Sequence, residues 1–188
     1  KPIFSFGQGC EGEPLLESRL IADAVRSFRQ ADGPGTVNIN TNGSLPQTIE
    51  QLAAAGLSSI RVSLNSAQEA WYTAYHRPRG YAFSDVLQTM LEAKKSGLFV
   101  SLNYFFVPGI SDTELEFQTL QNVIEDCRPD FIQLRNLNLD PELYLNILPD
   151  WDSPSMGLKN FTRRLKKSFP WIEFGYFNPY LDIPLKTG

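Results

Sequence analysis

The run Gly9-Cys10-Glu11-Gly12-Glu13-Pro14-Leu15-Leu16 follows the first predicted strand and opens the first predicted helix, and it carries the sharpest chemical signal in the chain. Gly12 lets the backbone approach a ligand closely, and Pro14 suits the first turn of a helix. Glu13 then stands at the carboxyl end of a strand, where α/β enzymes gather their sites. A carboxylate there can hold a ligand ammonium, or it can simply complement the helix N-terminus. Short polar groups close other predicted strands: Asn42 and Gly43, Ser63 and Asn65, Asn103, and the stretch Gln133-Leu134-Arg135-Asn136. Plainer readings stand beside these. Ser63 and Asn65 can satisfy neighbouring backbone groups, Asn42-Gly43 can be a turn with one left-handed residue, and Arg135 can be an internal ion-pair partner, to Glu13 among others. His76, the only histidine, has no second histidine or cysteine nearby, so the sequence predicts no metal ligand there but leaves it open to a substrate pocket.

The elements that must position these groups share a pattern. Phe4-Ser5-Phe6-Gly7, Val37-Asn38-Ile39-Asn40-Thr41-Asn42, Ile60-Arg61-Val62-Ser63-Leu64-Asn65, Val100-Ser101-Leu102-Asn103 and Ile132-Gln133-Leu134-Arg135 each alternate an apolar row with a polar one. Helical patterns separate most of them, and strands joined through helices lie parallel; parallel sheets are ordinarily covered on both faces and read as apolar throughout. A polar row on every strand needs something polar to face, which predicts a curved sheet, a partial barrel with a ligand cavity on its concave side. The alternative is an antiparallel sheet with one face in water.

In detail the patterning predicts strands at 2–7, 36–41, 59–65, 98–106 and 130–136, and helices at 15–31, 45–55, 83–96 and 112–126. A final helix at about 155–168 and a short strand at 172–176 complete the chain. Helix stripes are Leu20, Ile21, Ala24, Val25 and Phe28; Ile49 and Leu52; Phe83, Val86, Leu87, Met90 and Leu91; and Phe117, Leu120, Val123 and Ile124. Ser111 and Glu114 have capping-box spacing. Residues 66–82 and 138–156 are predicted loops, rich in Tyr, Trp, Pro and Asp, that can cover the cavity mouth. We expect residues 1–137 to form the barrel core, and 138–188 to supply a substrate-side loop, the last helix and the tail of the same domain.

With 188 residues, 42% hydrophobic and 20% charged, the chain has the composition of one soluble globular domain. A net charge of -4 without a basic and aromatic cluster argues against nucleic acid as a partner. No apolar stretch is long enough to span a bilayer, because Ser101 and Asn103 interrupt the best candidate. Cys10 and Cys127, far apart, support neither a disulfide framework nor a metal site, and a cytoplasmic protein is expected. Lys1-Pro2 leads straight into a buried-looking strand, which predicts a chain entered partway through its fold.

Taken in order, Gly12-Glu13-Pro14, Thr41-Asn42-Gly43, Val62-Ser63-Leu64-Asn65, Arg79-Gly80-Tyr81-Ala82-Phe83, Asn103, and Val107-Pro108-Gly109-Ile110-Ser111-Asp112 resemble the radical SAM superfamily over roughly residues 2–137. The likeness is to the branch with molybdenum-cofactor biosynthesis enzyme A and the peptide- and sulfatase-maturing enzymes. It implies an α/β fold, a partial TIM-like (βα)6 barrel, here lacking its first strand and cluster loop. It also implies an oxidoreductase-type parent that holds a [4Fe–4S] cluster and S-adenosylmethionine and makes a 5′-deoxyadenosyl radical to abstract hydrogen from a small molecule or peptide. A reductant such as flavodoxin or ferredoxin would serve the parent. By the resemblance Gly12 and Glu13 face the methionine ammonium, and Arg79 pairs with its carboxylate, with Arg77 as a competitor. Ser63, Asn65 and Asn103 reach the ribose, Asn42 lies alongside, and the backbone at Gln133 and Leu134 lies by the adenine. Arg135, Asn136 and Tyr144 become substrate candidates, and Trp151 and the run from Tyr176 to Tyr180 help shape that pocket.

One departure matters. The family's cluster hangs on a CxxxCxxC motif, and this sequence contains none, so the chain is expected to bind no cluster by that route and to be inactive alone. Truncation is the expected reason. Two rivals stay open: an iron-free barrel enzyme using Glu13 as acid or base with Arg135 as an anion clamp, and a non-catalytic barrel that binds a nucleoside or amino acid.

Overall fold

The computed structural model describes residues 2–9, 12–136, 140–150 and 153–181; Cys10, Asn138 and Trp151 lie outside them. Strands β1 (Ile3–Phe6), β2 (Thr36–Thr41), β3 (Ser59–Leu64), β4 (Phe99–Phe105), β5 (Phe131–Arg135) and β6 (Glu173–Phe174) stand side by side in chain order. Every neighbouring pair is parallel, which excludes the antiparallel alternative. An unbroken order without a switch point is the progression of a barrel rather than of a doubly wound sheet. Among the described residues the sheet is open, with no pairing of β6 to β1.

The crossovers are α1 (Ser18–Gln30), α2 (Ile49–Ala55), α3 (Glu69–His76), α4 (Phe83–Lys95), α5 (Glu114–Cys127), α6 (Pro141–Ile147) and α7 (Leu158–Ser168). Their apolar stripes and the apolar row of the strands, such as Ile39, Ile60, Val62, Val100, Leu102 and Ile132, make one continuous core on the outer face. The stripe of α5 is buried as its sequence predicts, but Leu20 on α1 and Leu91 on α4 are exposed at 66% and 38%. In both helices the buried face is narrower than the hydrophobic stripe, centring on Ile21, Ala22 and Val25 in α1. Among the described residues no helix is long and apolar enough to cross a membrane.

The two segments predicted as loops each fold a helix. Within 66–82, α3 buries Trp71 and Tyr72; within 138–156, α6 opens behind Asp140, whose carboxylate accepts from Leu143 N, and buries Tyr144. Trp71, Phe105, Ile110, Tyr144 and Leu148 form a second, smaller apolar cluster with Tyr75. It caps the carboxyl ends of β3 and β4 from above the sheet. Short helices with few apolar residues give weak periodicity, so the period-based reading passes over them.

The capping of α5 also differs from the sequence reading. Thr113, not Ser111, is the N-cap and accepts from Glu116 N. Ser111 instead donates to the Phe105 carbonyl and accepts from Val107 N, bracing the β4–α5 turn. Glu116, fully buried, takes four donors: Ser66 Oγ at 2.6 Å, Ala67 N at 2.6 Å, Gln68 Nε2 at 2.7 Å and the Tyr104 hydroxyl at 2.5 Å. That carboxylate ties α5 to the segment leaving β3 and so fixes where α3 begins. Glu116→Ala leaves these donors buried without an acceptor and is expected to cost about 3 kcal/mol in urea-melting stability. A loss below about 1 kcal/mol would show that the segment does not depend on it.

Candidate functional site

Glu13 joins the carboxyl ends of β1 and β2. Its Oε1 accepts from Leu15 N at 3.0 Å and from the Thr41 hydroxyl at 2.6 Å, and its Oε2 from Asn42 N at 2.7 Å. The carboxylate thus caps the 3-10 turn Pro14–Glu17 that runs into α1, as the plainer sequence reading has it. A carboxylate offers about four acceptor positions, so three internal bonds fix its direction and leave one for a ligand cation. Arg135 makes no ion pair with it. Gly12 has φ of +84° with open space around it.

The β2 end is a built turn. Thr41 Oγ1 also accepts from Gly43 N, and the Asn42 carboxamide oxygen accepts from Ser44 N at 2.9 Å. Gly43 has φ of +74°, and a Cβ there would stand 3.0 Å from Val86 Cγ1. Asn42 therefore spends its side-chain oxygen on the turn, while its backbone N–H holds Glu13.

Residues of the polar rows align across strands. Ser5, Asn38 and Ser59 share one row; Asn40, Arg61 and Ser101 the next; Ser63, Asn103 and Gln133 the third. The first row and Asn40 satisfy themselves. Asn38 donates to Ser5 Oγ and Asn40 Oδ1 and accepts from Ser59 Oγ, and Asn40 donates to the Phe6 and Gly7 carbonyls. The third row does not. Asn103 donates to Ser63 Oγ at 3.3 Å and Gln133 donates to the Tyr176 carbonyl, yet Asn103 Oδ1 and Gln133 Oε1 are buried without a partner. Asn65 donates to the Trp71 carbonyl at 3.1 Å, and its Oδ1 is also buried and unpaired. Each such orphan costs about 1–3 kcal/mol, so the free acceptors at the carboxyl end mark where a hydrogen-bond donor belongs.

Other candidates fall differently. Arg79 is exposed in a turn with Gly80 at φ +77° and has no ion-pair partner among the described residues; Arg77 adopts φ of +47°. Arg135 and Asn136 are exposed at the end of β5. Leu134 sends its side chain to the outer face, where with Asn136, Lys159 and Lys166 it lines a cavity of about 460 Å³ between β5, β6 and α7. Only its backbone can face the concave side. Tyr144 is completely buried rather than lining an open pocket, edge-on to Phe105 and to Tyr75 at ring distances of 5.2 and 5.3 Å. Burial pushes its hydroxyl up to about 12, and Asn65 lies close enough to offset part of that, although the two oxygens do not reach hydrogen-bond geometry.

Two tyrosines escaped the sequence reading. The Tyr72 hydroxyl meets the Tyr81 hydroxyl at 3.3 Å, and burial, Tyr81 and then the charge of Glu13 hold its pKa above the usual phenol range. They bring α3 and the turn before α4 to the Glu13 corner. The spacing Trp71, Tyr72, Tyr75, His76 was the available signal, one helical face inside a segment taken for a loop.

Among the described residues nothing fits an iron–sulfur cluster. The Cys127 side chain lies on the outer face with Sγ 3.8 Å from the Leu87 carbonyl oxygen, and burial pushes its thiol up to about 12, so it is no ready thiolate. Among the described residues no group of three His, Cys, Asp or Glu could hold a metal ion.

Comparison with known proteins bears on this geometry. The family model for the radical SAM superfamily matches residues 6–117, more than half of the chain. Molybdenum cofactor biosynthesis protein 1 of Bos taurus is 34% identical over 106 residues, covering 55% of this chain and 16% of that protein. GTP 3′,8-cyclase of Thermodesulfovibrio yellowstonii is 35% identical over 107 residues, covering 56% of this chain and 32% of that one. The chain thus spans less than a third of the length of these relatives. The crystal structure of a radical SAM methyltransferase from Sphaerobacter thermophilus shares the fold, with TM-score 0.65, 18% identity, and coverage of 89% of this chain and 49% of that one.

The histidine beside the Glu13 corner sets a pH dependence. His76 stacks on Tyr72 at 4.2 Å with Nε2 buried and unpaired, and burial holds its pKa down to about 4. Its folded value lies below the unfolded 6.5, so the unfolded chain binds the proton more readily. Stability is therefore full above pH 6.5 and falls as the pH drops toward 4. His76→Phe should flatten that limb in urea melts between pH 7 and 4; an unchanged slope would place the loss elsewhere.

Proposed function

The chain belongs to the radical SAM superfamily, and from that premise we propose that its concave face binds S-adenosylmethionine as the core of an enzyme of that family. The observation that carries this reading is the contrast between the self-satisfied polar rows near the strand starts and the unpaired acceptors Asn65 Oδ1, Asn103 Oδ1 and Gln133 Oε1 near the strand ends. Ribose hydroxyls and an adenine amino group are donors of the kind those oxygens lack. Glu13, aimed by Thr41 and Asn42, has one acceptor position left for the methionine ammonium, and its neighbour Gly12 leaves the approach open. Arg79 reaches the methionine carboxylate from its exposed turn with a fork that a lysine lacks. Ser63 steadies Asn103, Asn42 fixes the turn beneath the ligand, and the Leu134 backbone lies along its edge.

S-adenosylmethionine, as the family resemblance implies, supplies a carbon-centred radical for hydrogen abstraction in enzymes of this family. The chain's own residues bind and orient that ligand and exclude water from it; among the described residues no group of side chains would hold an iron–sulfur cluster. Arg135, at the rim, faces the substrate, whereas Asn136 opens to the outer-face cavity beside α7. Tyr144 acts on the pocket through Asn65, which it packs against, rather than by direct contact.

Titration of the chain with S-adenosylmethionine, followed by calorimetry, should show saturable binding that Glu13→Gln and Asn103→Leu each weaken at least tenfold (about 1.4 kcal/mol). A folded chain that binds nothing, or variants that bind equally well, would sink the assignment. Binding by the parent polypeptide without release of 5′-deoxyadenosine under reducing, iron- and sulfide-reconstituted conditions would instead favour a non-catalytic binding barrel.

A further inference from the structure

The cavity beside α7 lies across the sheet from the polar rows. Leu134 lines it and alternates with Gln133 along β5, so the row that meets the concave face turns away from it. Its volume of about 460 Å³ falls within the range of roughly 300–1,000 Å³ that small-molecule sites occupy. The floor is apolar: Phe106 and Ile132 belong to the main core, and the partly buried Leu134 and Phe174 pack against it. Leu158 and Tyr176 carry the apolar lining out to the mouth, where they are 49% and 77% exposed.

The charge comes from one helix face. Lys159, Thr162 and Lys166 are spaced i, i+3 and i+7 on α7, and all three line the cavity. Seven residues set the two lysine backbones about 10 Å apart along the helix axis, a separation that their long side chains can close. The Thr162 hydroxyl is spent on the Leu158 and Lys159 carbonyls, so it keeps its proton inside the helix. The Lys166 ammonium stands 5.3 Å from the centroid of the Phe174 ring, which holds it over the cavity wall. No acidic side chain lines the cavity, and neither lysine has an ion-pair partner among the described residues. Glu173, next to Phe174 in sequence, is in register with Phe131 and turns to the opposite side of β6.

A lysine stem that merely covers a Phe ring would account for Lys166. It would account neither for the space left beside that ring nor for the second lysine on the same wall. An apolar floor and unpaired ammonium groups around one volume select a ligand with both characters. An apolar body gains by leaving water, and an anionic head is attracted more strongly above a floor of low polarizability than in bulk solvent. We propose that this cavity binds an amphipathic anion, a small molecule with an aliphatic or aromatic body whose carboxylate or phosphate head sits between Lys159 and Lys166. The site is separate from the row that faces S-adenosylmethionine and does not rest on the function proposed above.

Calorimetric titration of the chain with octanoate and with octyl phosphate, beside octanol as a headless control, tests the site. Both anions should saturate, bind about fivefold or more tightly than octanol, and shift the amide resonances of Leu158, Phe174 and Gly175. The tighter of the two identifies the head as carboxylate or phosphate. Lys159→Gln combined with Lys166→Gln should weaken both anions about fivefold or more and leave octanol unchanged. Thr162→Trp, which fills the cavity and keeps both lysines, should weaken all three, whereas Lys167→Gln, outside the lining, should change nothing. Octanol binding as tight as that of the anions, shifts confined to other faces, or an equal loss in Lys167→Gln would overturn the site. Absence of saturation with a folded chain would overturn it too, and would leave the groove to an acidic segment of a partner protein. Binding of octanoate by a chain that fails to bind S-adenosylmethionine would keep this site and remove only the cofactor reading.

Discussion

A parallel sheet that buries both faces must find a hydrogen-bond partner for every polar group it places inside, and this chain puts a polar row on each of its first five strands. The rest of the molecule follows from how that constraint is met. Near the strand starts Ser5, Asn38, Asn40 and Ser59 bond to one another and to the backbone, so that end is closed and needs no ligand. Toward the strand ends the same alternation leaves carboxamide oxygens of Asn65, Asn103 and Gln133 unpaired. The sheet is thus polar along its whole length but demanding at one end only. That is the end at which the chain turns from strand to helix and where Glu13 is held.

Two carboxylates, Glu116 buried and Glu13 half-buried, do opposite work in this arrangement. Glu116 is saturated by four donors and serves only to pin α5 against the segment that becomes α3. Glu13, with three donors, is directed but not exhausted. The difference of one acceptor position separates a strut from a ligand group. It also depends on the strut, since α3 carries Tyr72 and His76 to the Glu13 corner and would lose its starting point without Glu116. The aromatic cluster of Trp71, Phe105, Tyr75 and Tyr144 then roofs the ends of β3 and β4, keeping water from the unpaired Asn65 oxygen.

Much of this was legible in the sequence because period-2 alternation survives any register. The strands, their parallel order, the inward polar row and the Gly12-Glu13-Pro14 turn could be read directly. So could Asn42-Gly43 as a turn, which the bond from Ser44 N to Asn42 Oδ1 makes. What could not be read depends on short helices and on distant segments. Seven-residue α6 and eight-residue α3 have too few turns for a periodic signal, so Tyr72 and the full burial of Tyr144 stayed hidden. The direction of Leu134 was legible from its alternation with Gln133, but the groove it enters, made by α7 and β6, was not. A partner 117 residues away along the chain, as Asn178 is from Arg61, leaves no local trace at all.

That long-range bond changes what the concave face can do. A parallel sheet with a polar inner row admits ligands from either opening, and nothing in strands alone decides which side is walled. The segment from Tyr176 to Leu181 walls the strand-start side by bonding to Gln133, Arg61 and Thr36 in turn, descending one row or more at each step. Access is left at the carboxyl ends, where the unpaired oxygens and the exposed Arg79 and Arg135 are. The wall also engages the sheet's one inward cation in its middle row, since Arg61 Nε donates to Asn178 Oδ1. Closure of that opening and the seating of Arg61 are consequently the work of the same six residues, and a tail of different sequence would alter both together.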